Sequence, residues 1–247
     1  MRLRQIALVA RELEPSVEAL CEVLGVDVAY NDPNVAVFGL VNAVIPIGDT
    51  FLEVVSPAKE GTTAGRYLER RGGDGGYMLI FQTRDLGRER ERIQKLGVRV
   101  VWEADLERAK VIHLHPRDLG SALVSFDQMP EWEDWEWAGP DWRSKIHLDS
   151  VAGIVGAELQ SQDPERCVAR WSEVLGVPRR GFEIPLGEGT LRFVLAADGR
   201  GDGLGGIDLA ATDAPEVLRR ARDRGLPIEG SCLTLCGIRV HLVHGAS

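Results

Sequence analysis

The chain has little of what marks several common protein classes. Lys and Arg total 29 against 38 Asp and Glu, which gives a formal net charge of -9. This balance, without any basic block, argues against nucleic acid or an anionic membrane surface as a partner. No apolar run approaches the length of a membrane span, and the run over residues 6–10 stops at Arg11, too early for a signal-peptide core. We therefore expect a cytoplasmic protein.

Cysteine is scarce too, and the spacing of the four cysteines does not indicate a disulfide framework. Cys21 and Cys167 fall at similar places in two helical patterns, where small apolar core residues are expected. Cys232 and Cys236 lie about 13 Å apart along a predicted strand, too far for a disulfide between them. The glycine-rich runs at 72–76 and 199–206 have neither a following Lys-Ser/Thr nor a dinucleotide-binding context. We interpret both runs as connections.

What the sequence does have is an internal repeat. Glu22-Val-Leu-Gly-Val recurs as Glu173-Val-Leu-Gly-Val, and Lys95-Leu-Gly-Val is a partial echo. Hydrophobic periodicity around these echoes predicts four β-α-β-β-β units. The predicted helices span 12–24, 86–96, 164–175 and 214–224, and each is followed by glycine. One predicted strand starts at residue 153. The other predicted strands span 3–10, 35–40, 43–47, 49–57, 77–83, 98–102, 110–115, 122–126, 182–185, 191–196, 206–211, 232–236 and 238–243.

The four units, paired two by two, predict an α+β protein with two domains, residues 1–128 and 148–247. Residues 129–147 form an acidic linker that holds four of the six tryptophans. Large apolar rings favour burial, so the linker differs from a flexible Gly/Ser spacer. Two roles stay open: the tryptophans anchor the linker to a domain or a second subunit, or the linker covers a ligand pocket.

One predicted strand, Asp49 to Pro57, contains a carboxylate among apolar neighbours. Side chains alternate along a strand, which puts Phe51, Glu53 and Val55 on one face. A buried carboxylate is costly unless it is paired, protonated or bound to a metal. Glu53 is therefore either a solvated surface residue or a functional group.

These patterns resemble the vicinal oxygen chelate superfamily, the glyoxalase, bleomycin-resistance and dioxygenase group. The family's helix pattern matches residues 12–25 and 163–176, and its Glu-bearing strand matches Phe51-Leu-Glu-Val-Val. The His115-Pro-Arg-Asp-Leu-Gly turn, followed by residues 121–127, is similar to that of the methylmalonyl-CoA epimerase-type members. The resemblance implies that paired βαβββ modules form cup-shaped mixed sheets, four modules in two domains.

In that family a divalent metal is held inside the cup. The resemblance places its ligand positions at Gln5, Glu53, Met78 and Ser125 in the first domain, where only Glu53 is a strong ligand for a hard ion. The second-domain positions are Gly156, Phe193, Gly206 and His241. We therefore expect no metal and no other cofactor. We also expect the second domain, with no carboxylate at its cup positions, to be structural or dimer-forming.

The resemblance suggests a small-molecule pocket in the first domain, with an isomerase, epimerase or lyase acting on a carbonyl or thioester compound. Glu53 would be the catalytic acid–base residue, and Gln5, Met78, Ser125 and His115 would contact the substrate. A binding protein without chemistry, as in the bleomycin-resistance branch, is one alternative. A metal enzyme that uses Glu53, Gln5 and a displaced histidine is another. A homodimer is a possible assembly.

Overall fold

Two seven-stranded mixed sheets carry most of the chain in the computed structural model, which describes residues 1–244. The strand order is β2-β3-β1-β4-β7-β6-β5 in the first sheet and β12-β13-β14-β11-β8-β10-β9 in the second. Each sheet thus combines two consecutive repeats of the chain. The predicted α+β class, with repeated modules paired into two mixed sheets, is confirmed.

The first repeat contains β1 (Arg2–Val9), α1 (Leu13–Leu24), β2 (Leu40–Ile47), β3 (Thr50–Pro57) and α2 (Thr63–Arg71). The strand predicted over 35–40 is wrong, because a 3-10 helix occupies Pro33–Phe38. Pro33 presets the backbone at the first helical position, and the Asp32 carboxylate accepts a hydrogen bond from the Asn34 N–H at 2.9 Å. These contacts at the start of the helix therefore outweigh the strand preference of the apolar, β-branched residues that follow.

The second repeat follows its prediction. It contains β4 (Gly75–Gln82), α3 (Leu86–Lys95), β5 (Val100–Asp105), β6 (Lys110–Leu114), α4 (Pro116–Leu119) and β7 (Leu123–Gln128). α4 is a single short turn of helix that the sequence prediction treated as part of a loop.

The second half of the chain repeats this order. The third repeat contains β8 (Val151–Ser161), α5 (Pro164–Leu175), β9 (Glu183–Leu186) and β10 (Gly189–Leu195). The fourth contains β11 (Gly203–Ala211), α6 (Ala214–Asp223), β12 (Ile228–Glu229), β13 (Cys232–Leu235) and β14 (Ile238–His244). The first and third repeats have two strands after the helix, and the second and fourth have three.

The same strand pairing recurs within the repeats. β7 pairs in parallel with β4, β10 with β8, and β14 with β11, so the last strand of a repeat returns beside its first. Directly paired residues project to the same face of a sheet. The apolar side chains collect on one face, as where Phe193 of β10 packs against the fully buried Trp171 of α5, with ring centroids 5.9 Å apart. The opposite face of β8 and β10 carries polar side chains, among them Glu158 and Arg192.

The chain also divides into two compact units that do not follow the order of the repeats. Unit 1 contains Met1–Ile6, Tyr77–Glu136 and Gly156–Leu204. Unit 2 contains Ala7–Gly76, Trp137–Val155 and the chain from Gly205 onward. The predicted domain boundaries, residues 1–128 and 148–247, remain a prediction. Within residues 1–244 no helix has the length and apolar character needed to cross a membrane.

Candidate functional site

Glu53 belongs to unit 2 and is buried. It is opposite Val44 in the antiparallel pairing of β2 and β3, and its side chain is only 7% exposed. The Nδ2 group of Asn42 donates a hydrogen bond of 2.6 Å to Glu53 Oε1. The alternation read from the sequence holds: the carboxylate shares a sheet face with Phe51 and Val55 and is held by an amide.

The amide of Asn42 is itself fixed in one orientation. Its Oδ1 accepts a hydrogen bond of 2.8 Å from the backbone N–H of Asp32, which can only donate. The NH2 group must therefore face Glu53, and the carboxylate receives a donor. The Asn42 backbone carbonyl accepts a further bond of 2.6 Å from Asn31 Nδ2. Sequence reasoning missed Asn42, because nothing in the letters shows which residue of β2 is the diagonal neighbour of Glu53.

An aromatic side chain packs on the same face of unit 2. Trp142, from the Trp-rich segment, contacts Phe51 edge to face with ring centroids 4.9 Å apart, and it is 4% exposed. Aromatic cover of this kind excludes water and lowers the local dielectric. Phe51 is two residues from Glu53 on the same strand face. Trp142 thus contacts a strand of unit 2, as an anchor would, and the alternative that the linker covers a pocket stays open.

Unit 1 has its own polar sheet face. Ser125 on β7 pairs with Ile80 of β4, which puts Ser125 and Met78 on the same face. Ser125 is fully buried and its hydroxyl donates to the Asp127 carboxylate. Met78 is 6% exposed. The two predicted contact residues in these strands thus share one face.

A histidine joins this polar face from β6. His113 pairs directly with Ser125 across the antiparallel strands, and its ring lies 4.6 Å from that of Trp102. Burial lowers the pKa of His113 from 6.5 to about 4. The imidazole is therefore neutral at pH 7. The sequence analysis singled out His115 instead, since that residue stands beside a proline.

His115 caps a helix. Its Nδ1 accepts a hydrogen bond of 3.2 Å from the backbone N–H of Arg117, at the start of α4, and lies 3.2 Å from Arg99 Nη2. These contacts account for the residue in structural terms. Its predicted contact with substrate remains a prediction.

Gln5 is engaged by the Trp-rich segment. Its Oε1 accepts a hydrogen bond of 2.6 Å from the indole Nε1–H of Trp135, and both side chains are 2% exposed. The amide oxygen is the only group through which Gln5 could coordinate a metal. In this structure that oxygen is committed to an indole.

The donors at the family's metal positions do not fit a hard divalent ion. Glu53 is one carboxylate, Gln5 accepts from an indole, Ser125 is a neutral hydroxyl, and Met78 offers only a soft thioether. Over residues 1–244 no group of three or more His, Cys, Asp or Glu side chains is placed to hold a metal. The side chains at these positions therefore offer no basis for metal-assisted chemistry.

The second sheet corrects one expectation. Gly156 and Phe193, assigned to equivalent positions, lie on opposite faces, because Gly156 pairs with Thr190 and Phe193 pairs with Leu159. In unit 1 the polar face instead carries Glu158, 5% exposed, in a 3.0 Å ion pair with Arg192.

In unit 2, β11 also carries a buried carboxylate. Asp208, 7% exposed, pairs directly with His241 of β14. The expectation that no carboxylate occupies the polar face of the second half is therefore wrong. The assigned position Gly206 lies two residues before Asp208 on the same face of β11, so the carboxylate was missed by one step along that face.

Comparison with known proteins agrees with this architecture. The family model described as "Glyoxalase-like domain" matches residues 6–175. An ethylmalonyl-CoA/methylmalonyl-CoA epimerase of Cereibacter sphaeroides is 25% identical over 134 residues, covering 52% of this chain and 98% of that protein.

Solved structures give likenesses of similar extent. A variant of Streptomyces coelicolor methylmalonyl-CoA epimerase, in complex with 2-nitronate-propionyl-CoA, is 23% identical and covers 53% of this chain and 99% of its own, with a TM-score of 0.48. The methylmalonyl-CoA epimerase of Mycobacterium tuberculosis is 21% identical and covers 52% and 88%, with a TM-score of 0.47. These likenesses concern the fold.

Proposed function

Because this chain belongs to the glyoxalase-like domain family, we propose that it is a metal-independent isomerase or epimerase acting on a small acyl-CoA thioester. Glu53 is its acid–base residue. The match to the Cereibacter sphaeroides epimerase supports the choice of substrate class. The roles of Gln5, Met78, Ser125 and His115 as substrate contacts are part of the proposal.

The Glu53–Asn42 pair is the observation that carries this proposal. A carboxylate that is only 7% exposed is largely shielded from bulk water. The Asn42 amide, 2.6 Å from Oε1, holds the carboxylate in one orientation. Orientation and partial dehydration are the two properties that general acid–base catalysis needs.

The chemistry is the exchange of one proton. The hydrogen on the carbon next to a thioester carbonyl is acidic, because the electrons left behind delocalise onto the carbonyl oxygen. Glu53 takes this proton and leaves an enolate, whose oxygen needs hydrogen-bond donors in a water-poor site. If Glu53 returns the proton to the face it left, the configuration is restored; inversion requires that the enolate turns its opposite face toward Glu53 before the proton returns, or that a second acid protonates that face. No electron is gained or lost.

Deuterium exchange tests the proposal directly. Methylmalonyl-CoA is incubated in D2O with the protein, and deuterium at the carbon between the two carbonyl groups is followed by mass spectrometry against a protein-free sample. We expect the protein to accelerate exchange, and Glu53→Gln to slow it by a factor of about 100 or more. Glu60→Gln, an exposed carboxylate outside the site, is the matched control. Exchange that survives Glu53→Gln undiminished contradicts the role of Glu53.

The contact between Trp135 and Gln5 favours a second candidate, a binding protein without chemistry. An indole bonded at 2.6 Å to a predicted contact residue indicates that this position already serves as a recognition group. Such a protein binds the thioester and returns it without deuterium. Calorimetric binding measured beside the exchange assay separates the two candidates.

The homodimer remains a prediction. Analytical ultracentrifugation should give twice the mass of the chain, and a monomer at micromolar concentration contradicts it.

A further inference from the structure

The backbone of the Trp-rich segment is held by polar side chains of unit 1. Arg2 Nη2 donates to the Trp132 carbonyl at 2.6 Å, and Gln82 Nε2 donates to the same oxygen at 3.0 Å. Arg4 Nη2 donates to the Glu133 carbonyl at 3.2 Å. We name residues 132–135 the strap, and Arg2, Arg4 and Gln82 the donor set. All three donors are 5% exposed or less.

The indoles of the strap add two further contacts. The Trp132 ring has the guanidinium of Arg2 at 4.5 Å and that of Arg84 at 4.1 Å from its centroid. Trp135 donates its indole N–H to Gln5. The strap thus offers acceptor oxygens to cationic donors and an aromatic face to two guanidiniums.

The donor set would hold an anionic ligand by the same groups. Guanidinium and amide donors form shorter and stronger hydrogen bonds to charged oxygens than to neutral carbonyls. Guanidiniums over an aromatic ring stabilise any flat π-system placed there. An aromatic base with nearby phosphate oxygens meets both requirements, and coenzyme A carries both.

On its outer side the strap is tied weakly. Arg108 forms 3.0 Å ion pairs with Asp134 and Glu136, and all of these side chains are substantially exposed. Exposed pairs of this kind contribute roughly 0–1 kcal/mol each. The outer ion pairs therefore add little to the stability of the closed strap, which depends on the donor set and on the Trp135 bond to Gln5.

We propose that the strap is an internal ligand that occupies a subsite for the nucleotide part of coenzyme A and is displaced when coenzyme A binds. This inference rests on the proposed acyl-CoA ligand. The strap controls access to the donor set, since both cannot use the same hydrogens of Arg2 and Gln82. Opening of the strap and ligand affinity are then linked quantitatively.

The link between strap opening and ligand affinity predicts the size of the effect of a mutation. If the ligand binds only the open form, its apparent dissociation constant equals the intrinsic constant divided by the open fraction. Trp135→Phe keeps the ring and removes the N–H···O bond to Gln5. Loss of one hydrogen bond of about 1 kcal/mol raises a small open fraction about fivefold. Affinity for coenzyme A should rise by the same factor.

The experiment measures both quantities in the full chain. Hydrogen exchange with mass spectrometry follows peptides covering residues 130–137, and calorimetry measures binding of coenzyme A itself. Trp135→Phe should exchange about fivefold faster in this segment and bind about fivefold tighter. Arg108→Gln, a surface change that leaves the donor set intact, should shift both in the same direction. Trp102→Phe removes an indole N–H outside the strap and should change neither.

Three results overturn the inference: faster exchange with unchanged or weaker binding, no change in strap exchange when coenzyme A binds, and no binding of coenzyme A to any variant. The proposed catalysis is judged separately by deuterium at the substrate carbon. A protein that binds coenzyme A and releases the strap, but exchanges no carbon-bound hydrogen, refutes only the catalysis.

Discussion

The dependence of stability on pH tests the burial of His113. In the folded protein burial lowers its pKa to about 4, against 6.5 for an unperturbed histidine. Between these values the unfolded chain binds a proton at this residue and the folded chain does not. Stability is therefore complete above pH 6.5, falls as the pH is lowered toward 4, and loses nothing more from this group below 4.

The size of the loss follows from the two pKa values. Each unit of difference corresponds to about 1.4 kcal/mol, so the full effect of His113 is about 3 kcal/mol. Lowering the pH from about 7.5 to about 4.5 should remove about 2.5 kcal/mol of it. Ordinary carboxylates also titrate in the lower part of this range. A comparison with a variant is needed to isolate the histidine.

The assay is urea unfolding at the two pH values for the wild type and for His113→Asn, which is neutral throughout. The variant should lose about 2.5 kcal/mol less between the two pH values than the wild type. Equal losses would show that His113 titrates alike in folded and unfolded protein. A larger loss in the variant would show that the folded protein stabilises the imidazolium, and either result refutes the reasoning.

Three further predictions concern unit 2. Asn42→Leu removes the donor to the buried Glu53 carboxylate and should lower the free energy of unfolding by about 2 kcal/mol in urea titrations; an unchanged midpoint would mean that solvent replaces the amide. Gly237→Ala should unfold at a markedly lower urea concentration than Gly230→Ala. Both glycines have positive φ, but a Cβ at 237 would lie 1.9 Å from a backbone oxygen, whereas a Cβ at 230 would meet no atom within 4 Å. Equal midpoints of unfolding would contradict the close approach at Gly237. Cys236, whose pKa burial raises to about 12, should be alkylated by iodoacetamide at pH 8 at least a hundredfold more slowly than a free thiol; rapid labelling in native protein, read by peptide mass spectrometry, would refute its burial.

Local signals in the sequence were enough for most of the regular elements. The end of α1 at Leu24 follows from Gly25, which adopts the left-handed conformation with φ of 68°. Alternation correctly puts Glu53 on one face of β3 with Phe51 and Val55, but both faces of this strand are buried, so the sequence left the burial of Glu53 open. Both inferences need only residues adjacent in the chain.

Contacts between distant residues could not be predicted in the same way. The bond from Trp135 to Gln5 joins residues 130 positions apart, and no pattern in either segment specifies it. The polar partner of Glu53 depends on the register of β2, which is set by the turn at 48–49. The α2 helix was missed because its capping residue, Thr62, follows a stretch that has the composition of a loop.

Unit 2 combines segments that are far apart in the chain, which affects how it can fold during synthesis. Residues 7–76 belong to a unit that also needs the chain from Gly205 onward, and in it Arg224 of the last helical segment pairs with Glu22 of α1. A ribosome adding 5–20 residues per second needs roughly 10 s to synthesise the intervening stretch. During that time the part of α1 that contacts α6 has no partner, a situation that attracts chaperones. A premature stop codon before Gly205 would leave this unit without the whole of its last repeat.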